Sequence, residues 1–335
     1  MPETADQPAP PPRTWRPMLL WTAGLLLSLG LAWLIGAVAV PVWQVHRVMA
    51  AYDSDIAASQ LPGWTLAPAD QLGGQAAAAR KIDLYLRMPD FLASHKRSAI
   101  DWLRYCGQAG VGPSLRMLRS PNDQLRARAY SALFTLGYVV KPDEGPAMTP
   151  ESYLALLAGG AYDRSAQVRS VVAFNLKYYE ACRCHATTLT KDRQPPRPEV
   201  SRAMVSLLAD PDEAVRLAAA AQDPGVGIPF ATDDPAVIAA LVRLLTDKSA
   251  KVRGAVPGRL RYCDISRLPF SQEVIDALVR ASSDPSAEVR GVAAEMLGLC
   301  NSRPMAVLQA LERLKTDPEE KVRDAAAEAL TKLGG

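Results

Sequence analysis

The sequence predicts an all-α chain: one N-terminal transmembrane helix followed by an α-solenoid of about six helical hairpins. Two observations predict it. First, an Asp is followed six positions later by an Arg, with Val just before the Arg, at Asp163/Arg169, Asp210/Arg216, Asp247/Arg253, Asp284/Arg290 and Asp317/Arg323. A degraded sixth copy has Ser120, Leu125 and Arg126. Successive Arg residues lie roughly 33–47 positions apart, and self-similarity at that period means stacked helical units rather than one closed core. Second, no charged residue occurs between Met18 and Val40.

Residues 1–17 are Pro-rich and polar, the composition of a disordered tail. The 23 residues from Met18 to Val40 suffice to cross a hydrocarbon core of roughly 30 Å. Trp15 and Trp43 flank this run as interfacial aromatics do. Ala37-Val38-Ala39 forms an A-x-A site, and Arg13 and Arg16 form a positive n-region, as in a signal peptide. The apolar run is longer than a signal h-region and continues past that site, so a retained anchor is expected. Arg13 and Arg16 precede the segment, and only Arg47 closely follows it. The positive-inside bias therefore points the N-terminus inward and places the repeats on the periplasmic or extracytoplasmic side of the inner (cytoplasmic) membrane.

Residues 41–93 read as a membrane-proximal connector with helical parts. Val45, Val48, Met49 and Tyr52 continue a helix, and Pro62-Gly63 and Gly73-Gly74 break it. Residues 94–335 read as the repeat array. In its third copy a first helix covers Glu199 to Ala209, with Ala203, Val205, Leu207 and Leu208 as its apolar stripe. Asp210-Pro211-Asp212 is the turn, where Pro suits a helix start and Asp an N-cap. The second helix carries Val215, Leu217, Ala218 and Ala219. Asp284-Pro285, Asp317-Pro318 and Ser120-Pro121 repeat the punctuation. First helices follow at 235–246, 271–282 and 304–316. Gln222-Asp223-Pro224-Gly225 should shorten the second helix of the third copy, and Pro257-Gly258 should kink that of the fourth.

The Asp-x-x-x-x-Val-Arg-x-x-Ala-Ala pattern resembles HEAT repeats in the short bacterial form named after phycobilisome lyases. Asp284–Leu297 (DPSAEVRGVAAEML) and Asp317–Leu330 (DPEEKVRDAAAEAL) carry the resemblance most fully. It implies a right-handed superhelix in which the Val packs between units. It also implies that the Arg pairs with the turn Asp of its own or a neighbouring unit, a ladder role for Arg169, Arg216, Arg253, Arg290 and Arg323. A guanidinium fork can grip a carboxylate at two points and so hold units in register. Arg126 faces Ser120 in its own copy, which leaves the first rung without an evident acid. Deoxyhypusine hydroxylases share this architecture and bind iron through His-Glu pairs. No His here precedes a Glu, so the resemblance does not extend to that activity. Bilin lyases offer no short motif to match, and an anchor fits them poorly.

Apolar residues make up 49 % of the chain and aromatics 6 %, a balance that suits closely approaching helices. With 38 basic and 35 acidic residues the net charge is +3, too even for a nucleic-acid surface. The lean towards Ala, Arg and Pro fits a GC-rich bacterial genome. Five cysteines spread over the chain are not a disulfide framework. Cys263 and Cys300 each lie ten positions beyond a ladder Arg and are expected as small buried apolar groups.

Cys182-x-Cys184-His185 is the one cluster resembling a metal or redox site. Its spacing is short and its ligand set incomplete, so an ordinary loop over Cys182–Pro198 is expected, with metal or redox activity as the alternative. Lys177 with Tyr178, and Arg259 and Arg261 with Tyr262, offer a basic and aromatic surface to a partner; snorkelling side chains on a solvated face are the plainer reading. No phosphate loop, dinucleotide fingerprint, zinc-protease motif or nucleophile elbow is present. The expectation is a membrane-tethered scaffold that binds a protein, with no cofactor, small-molecule substrate or catalysis; a self-associating spacer is the structural alternative.

Overall fold

The computed structural model describes residues 15–57, 71–89, 94–139, 150–190, 197–222, 232–264, 270–300 and 304–334. All regular structure among them is helical. The chain divides into two compact units, Met1–Pro113 and Ser114–Gly335.

In the first unit, α1 (Trp15–Leu34), a π-helical turn (Ile35–Ala39) and α2 (Val40–Ala57) form one unbroken helix. The π-turn has a local cause. Pro41 has no amide, and its ring would collide with the carbonyl four residues earlier. Widening the preceding turn, with the Val40 amide on the Ile35 carbonyl, carries the helix through. From Leu25 to Ala50 this helix is long and apolar enough to cross a membrane, a criterion that a signal sequence also meets. Leu25, Leu26, Leu27, Leu29, Leu31 and Trp33 are all exposed.

Beyond Val40 the helix turns from uniformly apolar to one-sided, and Val45 and Met49 are fully buried. They belong to a small core with α3 (Gln75–Arg87) and α4 (Lys96–Leu103), to which Ile82, Tyr85, Ile100 and Leu103 contribute. Gly73 and Gly74 enter α3 at φ +94° and +88°, a region open to glycine and strained for other residues. Pro62-Gly63 lies outside the described residues. α5 (Gln108–Met117) crosses the boundary between the units.

The second unit is built from two rows. Helices α6 (Asp123–Val139), α8 (Ala166–Thr190), α10 (Glu213–Ala220), α12 (Ala250–Leu260), α14 (Ala287–Leu297) and α16 (Glu320–Gly334) pack side by side in sequence order. Helices α7 (Pro150–Gly160), α9 (Pro198–Leu208), α11 (Pro235–Leu244), α13 (Gln272–Ala281) and α15 (Met305–Leu314) form the other row. Each odd-numbered helix also packs on the even-numbered helix that follows it. This is a helical-repeat solenoid, and the first helices fall within two residues of the predicted bounds.

The core lies between the rows. The Val before each ladder Arg is buried in every full copy, namely Val168, Val215, Val252, Val289 and Val322. Leu207, Leu241, Leu278 and Leu311 face them from the first helices with no exposure. Gly298 lets α14 approach α16 closely, because a Cβ there would lie 2.6 Å from Ala329. Helix starts follow local chemistry. Asp212 accepts the Ala214 amide at 2.8 Å and Asp234 accepts that of Ala236 at 2.9 Å.

The two expected breaks fall in α10 and α12. α10 stops at Ala220, short as expected. Pro257 does not interrupt its helix: it is buried inside α12, which continues to Leu260. Packing of the fully buried Val256 and Leu260 on either side outweighs the one backbone bond that Pro cannot make.

Candidate functional site

Each turn Asp is first fixed by its own chain. The amide two residues on donates to one carboxylate oxygen: Ser165 to Asp163 (2.8 Å), Asp212 to Asp210 (2.9 Å), Ser249 to Asp247 (2.8 Å), Ser286 to Asp284 (2.8 Å) and Glu319 to Asp317 (3.0 Å). The preceding unit's Arg then reaches across. Arg126 donates from Nε and Nη2 to both oxygens of Asp163 at 2.9 and 2.8 Å. Arg169 holds Asp210 at 2.7 and 2.9 Å, Arg216 holds Asp247 at 2.7 and 3.1 Å, and Arg290 holds Asp317 at 2.7 and 2.8 Å. Arg253 meets Asp284 through Nε at 2.5 Å.

The remaining guanidinium nitrogen faces home. Nη1 of Arg169, Arg216, Arg253, Arg290 and Arg323 donates to the main-chain carbonyl of its own turn Asp at 2.8–3.0 Å. One planar group therefore ties two successive turns. The first rung needs no acid at Ser120, contrary to the doubt raised by that residue. Arg126 uses the Ser120 carbonyl, at 2.9 Å, as the other Args use theirs, and its carboxylate comes from the next unit.

These pairs lie largely out of water. Side-chain exposure is 6 % and 8 % for Arg216 and Asp247. Burial pushes the carboxyls of Asp163, Asp210 and Asp247 up, but the Arg hydrogen bond, the backbone amide and the guanidinium charge together hold each below the ordinary carboxylate range. At Asp317 the Arg290 hydrogen bond is the foremost influence, with the same result.

The predicted partner surface divides. Lys177 and Arg259 are interior, at 2 % and 0 % exposure. Lys177 donates to the carbonyls of Ala218 and Ala221, and Arg259 to that of Ala219. They are corrections to that surface: the ragged end of α10 leaves backbone acceptors that these cations satisfy. Tyr178 is half-buried, its ring edge-on to Phe134 at 5.0 Å. Arg261 and Tyr262 are exposed, and Arg261 lies 3.3 Å from Glu288. Tyr262 and Leu299, 52 % and 40 % exposed, each lie nine positions beyond a ladder Arg and occupy equivalent places on successive units.

Cys182, Cys184 and His185 fall within α8, which runs to Thr190, so the expected loop is helical up to that point. The stretch from Ala166 to Thr190 holds neither Gly nor Pro, and nothing local stops the helix. The side chains from 181 to 190 lie outside the described residues, as do residues 191–196. Among the described residues no three His, Cys, Asp or Glu side chains are grouped to hold a metal ion. Cys300 is buried and Cys263 half-buried, both as free thiols. Burial pushes the Cys106 thiol up to about 11.

Two groupings have no sequence signal. His46 and His95 lie with ring centres 4.9 Å apart beside the Tyr85 hydroxyl, which is 3.3 Å from His46 Nδ1 and accepts the His95 amide at 3.1 Å. Asn175 donates to the Tyr130 carbonyl of the preceding unit at 3.2 Å. In both, the partners are too far apart in sequence for spacing to announce them.

The family model described as HEAT repeats matches residues 265–335, the last two hairpins. No curated protein matches the chain. Among solved structures, an engineered protein from a structural genomics programme is similar at 14 % identity and a TM-score of 0.36, over 88 % of this chain and 93 % of that one. A chain from a structure of Kap95p with RanGDP is similar at 13 % identity and a TM-score of 0.43, over 78 % of this chain. This chain spans 36 % of that one's length. With both scores below 0.5, the fold assignment rests on the stacked hairpins and the family match.

Proposed function

We propose that this protein is a membrane-anchored scaffold that holds a protein partner along the exposed turns that follow its even-numbered helices, and that it works by binding rather than by catalysis. The observation that carries the reading is the register of Tyr262 and Leu299. Both are large, exposed and apolar, and they stand at one repeat position on successive units whose spacing is tied by Arg253 and Asp284. A row of equivalent positions held at fixed intervals suits an extended polypeptide. Exposed Tyr at such a place is the residue type that dominates interface energetics. In this reading the Leu25–Ala50 helix is the anchor, supported by its length and apolar character, and the bias of Arg13 and Arg16 over Arg47 supports an array outside the cytoplasm.

Two experiments test this. A photo-crosslinking residue placed at Tyr262 or Leu299 should form a discrete adduct with another protein in cells, while one at Gln272, on the opposite row, should not. Equal labelling from both rows, or none from either, would remove the docking reading. A topology reporter fused at Gly335 should be active only outside the cytoplasm; cytoplasmic activity overturns the orientation and leaves the scaffold reading standing.

A further inference from the structure

Helix α10 ends unlike its row neighbours. At the end of α12 the amides of Tyr262 and Cys263 return to the carbonyls of Arg259 and Leu260, both at 3.1 Å. At the end of α14 those of Leu299 and Cys300 return to Met296 and Leu297 at 3.1 and 3.2 Å. Ala221, after α10, is extended instead (φ −72°, ψ 144°), and its amide reaches only the Leu217 carbonyl. The final carbonyls of a helix have no partners within it, and Ala221 leaves the helical region where α12 and α14 turn tightly.

Two cations do. Lys177, from α8 on one side, donates Nζ to the carbonyls of Ala218 at 2.9 Å and Ala221 at 2.6 Å. Arg259, from α12 on the other side, donates Nη1 to the carbonyl of Ala219. Positive charge at a helix C-terminus also matches the negative end of its dipole. Both side chains are buried, so salt screens them little.

We infer that Lys177 and Arg259 form a clamp that makes α8, α10 and α12 move and open as one body. The apolar side chains that α10 buries are few and mostly small. They are Val215, Ala219 and Ala220, whereas α14 buries Val289, Val292, Ala293, Ala294, Met296 and Leu297. In a stacked array coupling passes only between neighbours, so bonds across an interface tie the units that share it. The clamp adds polar bonds to the end of α10 from both flanks. This holds whether or not the array has a partner.

Hydrogen exchange read by mass spectrometry on the full chain in detergent micelles tests it. Lys177→Met and Arg259→Met should each speed exchange in α10 and in the helix that supplied the cation by about 10- to 100-fold, the scale of one lost charge-assisted hydrogen bond. Exchange in α14 and α16 should stay within about threefold of wild type. Lys177→Arg and Arg259→Lys, which keep the charge and a donor, should restore most of the protection. If either Met variant does not fold, Lys177→Gln and Arg259→Gln are read by the same criteria. Uniform acceleration along the whole array, or protection unchanged at α10, overturns the clamp.

Discussion

Replacing Asp247 by Ala isolates one rung of the ladder. The carboxylate receives Arg216 Nε at 2.7 Å, Arg216 Nη2 at 3.1 Å and the Ser249 amide at 2.8 Å. Without it, the Arg216 fork stays beneath the surface, held only through Nη1 on the Asp210 and Pro211 carbonyls. Leaving one charge of a buried pair uncompensated costs about 3–5 kcal/mol. For a unit of this size, about 2–4 °C of Tm is lost per kcal/mol, so the melting point should drop by roughly 6–20 °C. Removing the stranded charge as well, in Arg216→Met/Asp247→Ala, should recover about 1–2 kcal/mol of that loss. Glu273→Ala is the control. Its partner Arg243 sits 3.0 Å away, but the two side chains are 50 % and 75 % exposed, and such surface pairs contribute at most about 1 kcal/mol. Far-UV circular dichroism of the full chain in micelles, under heat and urea, reads all three. A loss under about 1 kcal/mol for Asp247→Ala, or an equal loss for Glu273→Ala, would refute the claim that the ladder holds the units together.

Other outcomes follow from the same geometry. Because Asp163, Asp210, Asp247 and Asp317 have folded carboxyls below their unfolded value of about 3.9, their contribution is present above that pH and is lost as pH falls through the folded values. The urea midpoint should therefore drop steadily below about pH 4, and a midpoint unchanged down to pH 2.5 would contradict it. Ser120→Asp should be nearly silent, within about 0.5 kcal/mol, since Arg126 already has Asp163; stabilisation by more than about 1 kcal/mol would mean that the rung prefers its own turn. Val289→Asp places an unpaired carboxylate at a fully buried site. It should cost more than about 4 kcal/mol and abolish hydrogen-exchange protection in α12, α14 and α16 together, whereas loss confined to α14 would speak against neighbour-dependent stability.

Much of the fold was legible because its signals are local. The Asp–Arg interval, the Pro after the turn and the apolar stripes all lie within one hairpin, and they placed the first helices closely. The direction of each rung was not legible. A turn Asp six residues before an Arg and one 27–41 residues after it are equally plausible partners on spacing alone, and only the stacking decides. Lys177 and Arg259 read as surface cations for a related reason. Their burial follows from where a neighbouring helix happens to stop, which their own segments do not encode. The helix through Cys182 shows the opposite error: composition suggested a loop, but no residue before Thr190 is able to end the preceding turns.

The forward reach of the ladder gives the chain an order of assembly. From Arg126 to Arg290, each hairpin leaves the ribosome carrying an arginine whose carboxylate has not yet been synthesised, and it receives that partner only when the next turn emerges. Hairpins should thus fasten one behind another from the amino end, with a single unsatisfied fork always at the growing front. The same polarity limits how such a chain changes in length. A whole hairpin can be inserted or deleted and every fork that is followed by another turn still finds a carboxylate, whereas half a hairpin strands a charge.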